Sequence, residues 1–237
     1  MNFLNRLFLA TVLFFGINLQ AQSNRTTIKN ALLIAAHNKS KLDNCKQLLV
    51  VYNYQPESYT AFFVALEKKD TLWVVKQEPV KVGIGKNGFA PPLEKKEGDG
   101  KSPTGIFHLG KLYSYEKQLN TLLDNQQTTV DDKWIDDPDS EDYNTHVKGA
   151  TTAKSYENLL LKNDAYKYCM VIEYNTNPII KGKGSAIFFH LAIKKPSFTA
   201  GCVAIDEENM RSIVSWLDLK QNPSIIMGNL DDLENGL

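Results

Sequence analysis

An excess of charge of either sign is missing from this sequence: 27 lysines and arginines face 27 aspartates and glutamates. Without a basic surplus there is no long-range electrostatic grip on nucleic acid or on an anionic membrane, so specificity must reside in a local site. A membrane-spanning run is missing too, since the apolar stretch Leu7–Ile17 falls short of the about 20 residues that cross a bilayer as a helix. The 3 cysteines and 4 histidines show neither C-x-x-C nor H-E-x-x-H spacing, which leaves a zinc site without support. No internal repeat and no flexible linker interrupts the chain.

What is there begins with a leader. Arg6, the short apolar run after it and a small residue at Ala21 together describe a signal peptide over residues 1–21. No cysteine lies near the cleavage point, so no lipid anchor is expected. The remainder, 22–237, is expected to be one soluble exported domain with its core at about 46–230, in the periplasm or cell envelope, without a transmembrane anchor. An odd number of cysteines in an exported protein leaves at least one unpaired within the chain.

The patterning predicts a mainly β domain with a few helices, of the α+β class. A short helix is expected over 26–36. Leu48–Tyr52, Ala61–Leu66, Leu72–Val75 and Val80–Ile84 read as strands, bounded by turn residues such as Pro56 and Asp70. A glycine- and proline-rich loop follows over 83–105, then a strand at Ile106–Leu109. Helices are predicted at Tyr115–Asp124 and Ser155–Leu161, flanking the acidic segment Asp131–Asp142. Tyr168–Tyr174 and Ala186–Ile193 read as buried strands. Asp206 is placed to cap a helix running through Asp218, with Met210, Ile213, Val214 and Leu217 on one stripe. Ser224–Met227 is the last strand.

Three motif matches fail on context. Gly83-Ile-Gly85-Lys-Asn-Gly88 has dinucleotide-loop spacing, but Pro91 and Pro92 preclude the helix that would hold a pyrophosphate. Gly100-Lys101-Ser102 lacks the earlier glycine of a phosphate loop and runs into Pro103. The alternating carboxylates from Asp137 carry Asp142 and Lys148 where a calcium loop needs glycine and glutamate.

One pair survives: His190 in the apolar run Ala186–Ala192, and Cys202 in Thr199-Ala-Gly-Cys-Val-Ala-Ile205. Gly201 permits a sharp turn that would present the thiol and aim backbone N–H groups at one point. Alternation puts His190 on a face with Phe188 and Ala192, away from Ile187, Phe189 and Leu191. An imidazole beside a thiol would supply the thiolate. Taken alone, spacing leaves a catalytic pair and two ordinary core residues evenly balanced.

Thr199-Ala-Gly-Cys202 preceded by His190 resembles the active-site motif of the L,D-transpeptidase (YkuD-type) family, in the branch with a T-A-G-C turn. Gly85–Phe89, Gly98-Asp-Gly-Lys-Ser-Pro-Thr-Gly-Ile-Phe107, Trp134–Pro138, Tyr143-Asn144 and Gly184–His190 are similar to further segments of it. The resemblance implies a β-sandwich with a deep cleft under a capping insertion that includes Trp134–Asn144. It implies Cys202 as nucleophile, His190 as base, and Gly201 and Thr199 in the oxyanion and active-site turn. The implied reaction is acyl transfer on peptidoglycan stem peptides through a thioester, forming L,D cross-links, with no metal or other cofactor. Hydrolysis of the same thioester, as a carboxypeptidase or amidase, and a noncatalytic wall-binding module are the alternatives. Ala200 and Ala204 stand where many members carry histidine and arginine. Lysines of the segment 94–101 are candidates for contacting a substrate carboxylate, against the plainer reading of a solvated turn, and the acidic segment is either a face for a substrate amine or a solvated loop. Export together with a free Cys202 suggests a Cys45–Cys169 disulfide.

Overall fold

The computed structural model describes residues 3–194 and 197–237, with side chains from residue 20 onward. A helix, α1 (Phe3–His37), leads into the strands β1 (Gln47–Asn53), β2 (Thr60–Lys69), β3 (Leu72–Gly83) and β4 (Gly105–Ser114). Four short strands follow: β5 (Asn125–Gln127), β6 (Asp132–Ile135), β7 (His146–Lys148) and β8 (Tyr156–Asn158). The chain returns through β9 (Tyr168–Ile172), β10 (Phe188–Leu191) and β11 (Val203–Ile205), then α2 (Glu207–Trp216), β12 (Ser224–Asn229) and α3 (Leu230–Glu234). The mainly β expectation holds.

The main sheet has nine strands in the order β12-β1-β2-β3-β11-β10-β9-β4-β5, and β12 also pairs with β4. The sheet therefore closes on itself as a barrel. Its interior is filled by alternate residues of each strand, including Leu49 and Val51, Met170 and Ile172, Phe189 and Leu191, and Ile225 and Met227. The stripe Met210, Ile213, Val214 and Leu217 joins this core, and Asp206 accepts from the Asn209 N–H to cap α2.

The other faces of these strands are covered from outside. Ala31, Ile34 and Ala35 of α1 lie on Leu48, Val50 and Tyr52 of β1, so that β1 is buried on both sides. Across the barrel, Cys169 and Val171 of β9 and Phe188 of β10 pack under Trp134 and Leu159. Those two residues belong to the expected cap, whose frame is a separate three-stranded sheet, β7-β6-β8.

Four expectations are corrected. Leu72–Val75 and Val80–Ile84 are one strand, β3, because Pro79 sits at a bulge. The register passes from Phe63↔Val80 to Ala65↔Gln77, so no ladder donor is needed there. The predicted helix at Ser155–Leu161 is strand β8, held by pairing of Glu157 with Trp134 and Tyr156 with Ile135. Tyr115–Asp124 is irregular chain; the Tyr115 hydroxyl accepts from the Leu161 N–H at 2.7 Å. Cys45 and Cys169 are free thiols, not a bridge. Cys45 packs under α1 and Cys169 under the cap, in separate clusters on the outside of the barrel.

Residues 1–2 of the expected leader, and its side chains through residue 19, lie outside the described residues. Among the described residues no helix is long and apolar enough to cross a membrane.

Candidate active site

Cys202 ends a turn that is tied down through Thr199, Gly201 and Cys202 itself. The Thr199 hydroxyl donates to the Cys202 carbonyl at 2.7 Å and accepts from the Gly201 N–H at 3.1 Å, closing the turn on itself. Thr199 N–H donates to the Ile84 carbonyl and its own carbonyl accepts from Lys86 N–H, both at 2.9 Å, which fastens the turn to the loop after β3. Ser102 completes the tie. Its fully buried hydroxyl donates to the Gly201 carbonyl at 2.7 Å and accepts from the Gly85 N–H at 2.9 Å.

Gly201 lies at a bend of the chain. It does not adopt a left-handed conformation, and its N–H is taken by Thr199. A side chain is excluded there because a Cβ would stand 2.9 Å from the Lys101 carbonyl oxygen and 3.1 Å from Ile187 Cδ1. Close approach of two chain segments at this bend requires the glycine.

The sulfur is held by the backbone just before β10. Sγ accepts from the Phe188 N–H at 3.3 Å and donates to the Ala186 carbonyl at 3.2 Å. Ala186 carries a left-handed φ of 52°, an unfavourable conformation for a residue with a Cβ. Asn144 helps to hold it there: its Oδ1 accepts from both the Ala186 N–H at 3.0 Å and the Trp134 indole N–H at 2.9 Å. The cap thus positions the carbonyl that the thiol contacts. Nothing in the local sequence marks Ser102, Asn144 or Ala186 for these tasks; only membership of the matching segments pointed their way.

His190 projects from the outer face of β10, on the same side as Phe188, as alternation predicted. Its Nδ1 lies 3.0 Å from the Leu191 carbonyl oxygen. A carbonyl can only accept, so Nδ1 carries the proton and Nε2 keeps the lone pair. The Tyr166 ring packs edge-on against the imidazole at 5.1 Å between centroids. Burial pushes the imidazole down from 6.5 to about 4, against the opposing pull of the Leu191 and Ala165 carbonyls. Burial also pushes the Cys202 thiol up to about 12, while the Phe188 N–H opposes it. At neutral pH both groups rest uncharged. Among the described residues no hydrogen bond joins the thiol to the imidazole.

Cys202, His190, Thr199 and Gly201 nevertheless line one cleft of about 370 Å³. Of the lysines in the segment 94–101 only Lys95 reaches it, and its ammonium is spent on Asp99 and on the Lys96 carbonyl, each at 2.7 Å. Exposed Lys86 lines the cleft as well. Ala200 lies at its rim, and Ala204 sits in β11 opposite His190. Within the acidic segment, Asp132 is buried against His146 and Thr129, and Asp137 accepts from the Asp139 and Lys154 N–H groups. Asp136 alone of that segment lines the cleft.

A turn-borne thiol and a single-tautomer histidine, opening together into a capped cleft on a β-barrel, fit the cysteine acyltransferase class. The L,D-transpeptidase catalytic domain (YkuD) model matches residues 59–226, and the chain belongs to that family. No curated protein matches. A similar solved structure is the crystal structure of the helical cell shape determining protein Pgp2 from Campylobacter jejuni, with 13% identity and a TM-score of 0.44. The likeness covers 80% of this chain and 52% of that one, so this chain spans about half the length of that protein.

Proposed function

We propose that the protein is an exported L,D-transpeptidase that acts on peptidoglycan stem peptides through a thioester on Cys202. The observation that carries this reading is the opening of Cys202 and His190 into one cleft, in a chain of this family. His190 Nε2 takes the thiol proton as the sulfur attacks the carbonyl of the third, diamino-acid residue. The carbonyl oxygen becomes an oxyanion, held by the Cys202 N–H, since the N–H groups of Thr199 and Gly201 are already engaged; such a donor is typically worth about 3 kcal/mol. Collapse breaks the amide bond, and the imidazolium returns its proton to the departing D-alanine amine. An amine of a neighbouring stem then attacks the thioester, forms the cross-linking amide and releases the thiol. No metal enters these steps. The leader over 1–21 would deliver the protein to the periplasm or cell envelope, where that substrate lies.

The resting state is a neutral pair with the thiol turned onto the Ala186 carbonyl. Proton transfer from Cys202 to His190 thus belongs to the reaction and not to the resting state.

The test uses a carbapenem, an acylating stand-in for the donor peptide, and intact-mass measurement. One adduct on the wild type that is absent from Cys202→Ala supports the assignment, and an adduct on the variant overturns it. Incubation with tetrapeptide stems then separates the outcomes of the thioester. Dimers that have lost one D-alanine mean transfer, whereas tripeptide monomers alone mean hydrolysis.

A further inference from the structure

Two carboxylates in the cleft are unaccounted for by the thioester chemistry. Glu157 on β8 stands directly opposite Trp134 on β6. Asp136 follows just past the end of β6, two residues after Trp134. The Trp134 side chain faces the barrel: its ring meets Phe188 edge-on at 5.3 Å, and the Phe188 N–H is the group that holds the Cys202 sulfur. Both carboxylates line the cleft that contains the thiol.

Neither has a cationic partner among the described residues. Elsewhere in the cap, Asp139 pairs with Lys154 and Glu141 with Lys181, at 2.9 and 3.1 Å, while Asp132 is met by His146. Glu157 receives only a long contact from the Tyr166 hydroxyl, at 3.4 Å. The Asp136 Oδ1 atom is buried with no hydrogen-bond partner among the described residues. Burial pushes the Glu157 carboxyl up, and the negative charge of Asp136 adds to the effect. A buried acceptor without a donor is destabilising, and two unneutralised carboxylates repel. A cation entering the cleft would relieve both penalties.

An ammonium group fits this place. It brings three donors and one positive charge to a pair of acceptor-only groups. A metal ion fits poorly, because two carboxylates are too few for a protein cage and no group of three or more suitable ligands exists among the described residues. We propose that Asp136 and Glu157 form an ammonium-binding subsite that holds the side-chain amine of the diamino acid whose carbonyl Cys202 attacks. The identity of the peptide rests on the acyl-transfer reading above; the preference for a cationic side chain rests on the two carboxylates. The pair would act as positioning residues, anchoring the far end of the residue whose near end is the acyl group.

The test separates binding from catalysis by using the full chain carrying Cys202→Ala. It is titrated calorimetrically with a stem tripeptide ending in lysine, and with the same peptide acetylated on the lysine amine. The free amine should bind at least about tenfold more tightly, a difference of roughly 1.4 kcal/mol. Asp136→Asn with Glu157→Gln should abolish the preference, and Glu157→Gln alone should reduce it, with melting curves confirming that each variant folds. Equal affinities for the two peptides, binding of neither, or a preference that survives the double change would overturn the subsite. Failure of wild-type Cys202 to be acylated by a donor peptide would instead overturn the catalytic reading, and leaves the binding result to be scored by itself.

Discussion

The Ser102 hydroxyl donates to the carbonyl of Gly201 at 2.7 Å, across 99 positions of sequence, and so pins the residue that precedes Cys202. The same oxygen accepts from the Gly85 N–H. Ser102→Ala would leave a buried carbonyl and a buried N–H short of their partner, at a cost of about 2 kcal/mol in urea unfolding. Cys202 acylation by a carbapenem should slow by about tenfold as the turn loosens, a larger effect than stability alone would produce in protein that is still fully folded. Wild-type acylation in a destabilised variant would show that the tie serves the fold and not the site.

Gly201→Ala probes crowding in the same place. A Cβ would press on the Lys101 carbonyl oxygen and on Ile187 Cδ1. Overpacking of this kind typically costs about 1–3 kcal/mol, which in a protein of this size lowers the melting temperature by roughly 2–12 °C. The backbone atom cannot swing away as a side chain can, so the turn must shift and acylation should fall with stability. An unchanged melting temperature would mean that the two segments part easily.

These two positions also mark how far the sequence could be read. The stripe Met210, Ile213, Val214 and Leu217 was legible because a helical period is a local signal, and the facing of His190 followed from alternation within one strand. Strand β8 was read as a helix because its pairing with β6 is a property of the cap, invisible in residues 155–161 themselves. Leu72–Val75 and Val80–Ile84 read as two strands because the bulge that joins them at Pro79 is a property of the pairing with β2. Ser102 carried no local signal, since its role exists only once Gly85 and Gly201 are brought together. The thiol and its histidine were found by motif; the carbonyl of Ala186 that the thiol meets was not, because a backbone acceptor leaves no trace in residue type.

Acid stability offers a test of the burial of His190. Its imidazole is held at about 4, below the 6.5 of an unfolded chain. Between these values the unfolded state binds a proton that the folded state refuses. The group's contribution is therefore present above pH 6.5 and is lost as pH falls through 4. A shift of this size corresponds to roughly 3 kcal/mol. His190→Gln removes the titration, so its unfolding free energy should decline less steeply than wild type from pH 6.5 to 4. Parallel declines would place the imidazole in water, contrary to the packing of Tyr166 against it.

The last prediction concerns the protonation state from which the reaction starts. With the thiol pushed up to about 12 by burial, and its proton shared with the Ala186 carbonyl, little thiolate exists at neutral pH. Alkylation by iodoacetamide follows the thiolate, so its rate at Cys202 should climb about tenfold per pH unit from 7 to 10 without levelling off. An ordinary cysteine would level off near 9. Site-resolved mass measurement distinguishes Cys202 from Cys45 and Cys169, both of which are buried free thiols. His190→Gln should leave this profile nearly unchanged, because the imidazole is neutral and unbonded to the sulfur at rest. The same change should slow acylation by a carbapenem at pH 7 by 10²–10⁴-fold, the usual range for losing a general base. A plateau below pH 8 in the wild type, erased by His190→Gln, would instead reveal a preformed thiolate–imidazolium pair and overturn the neutral resting state.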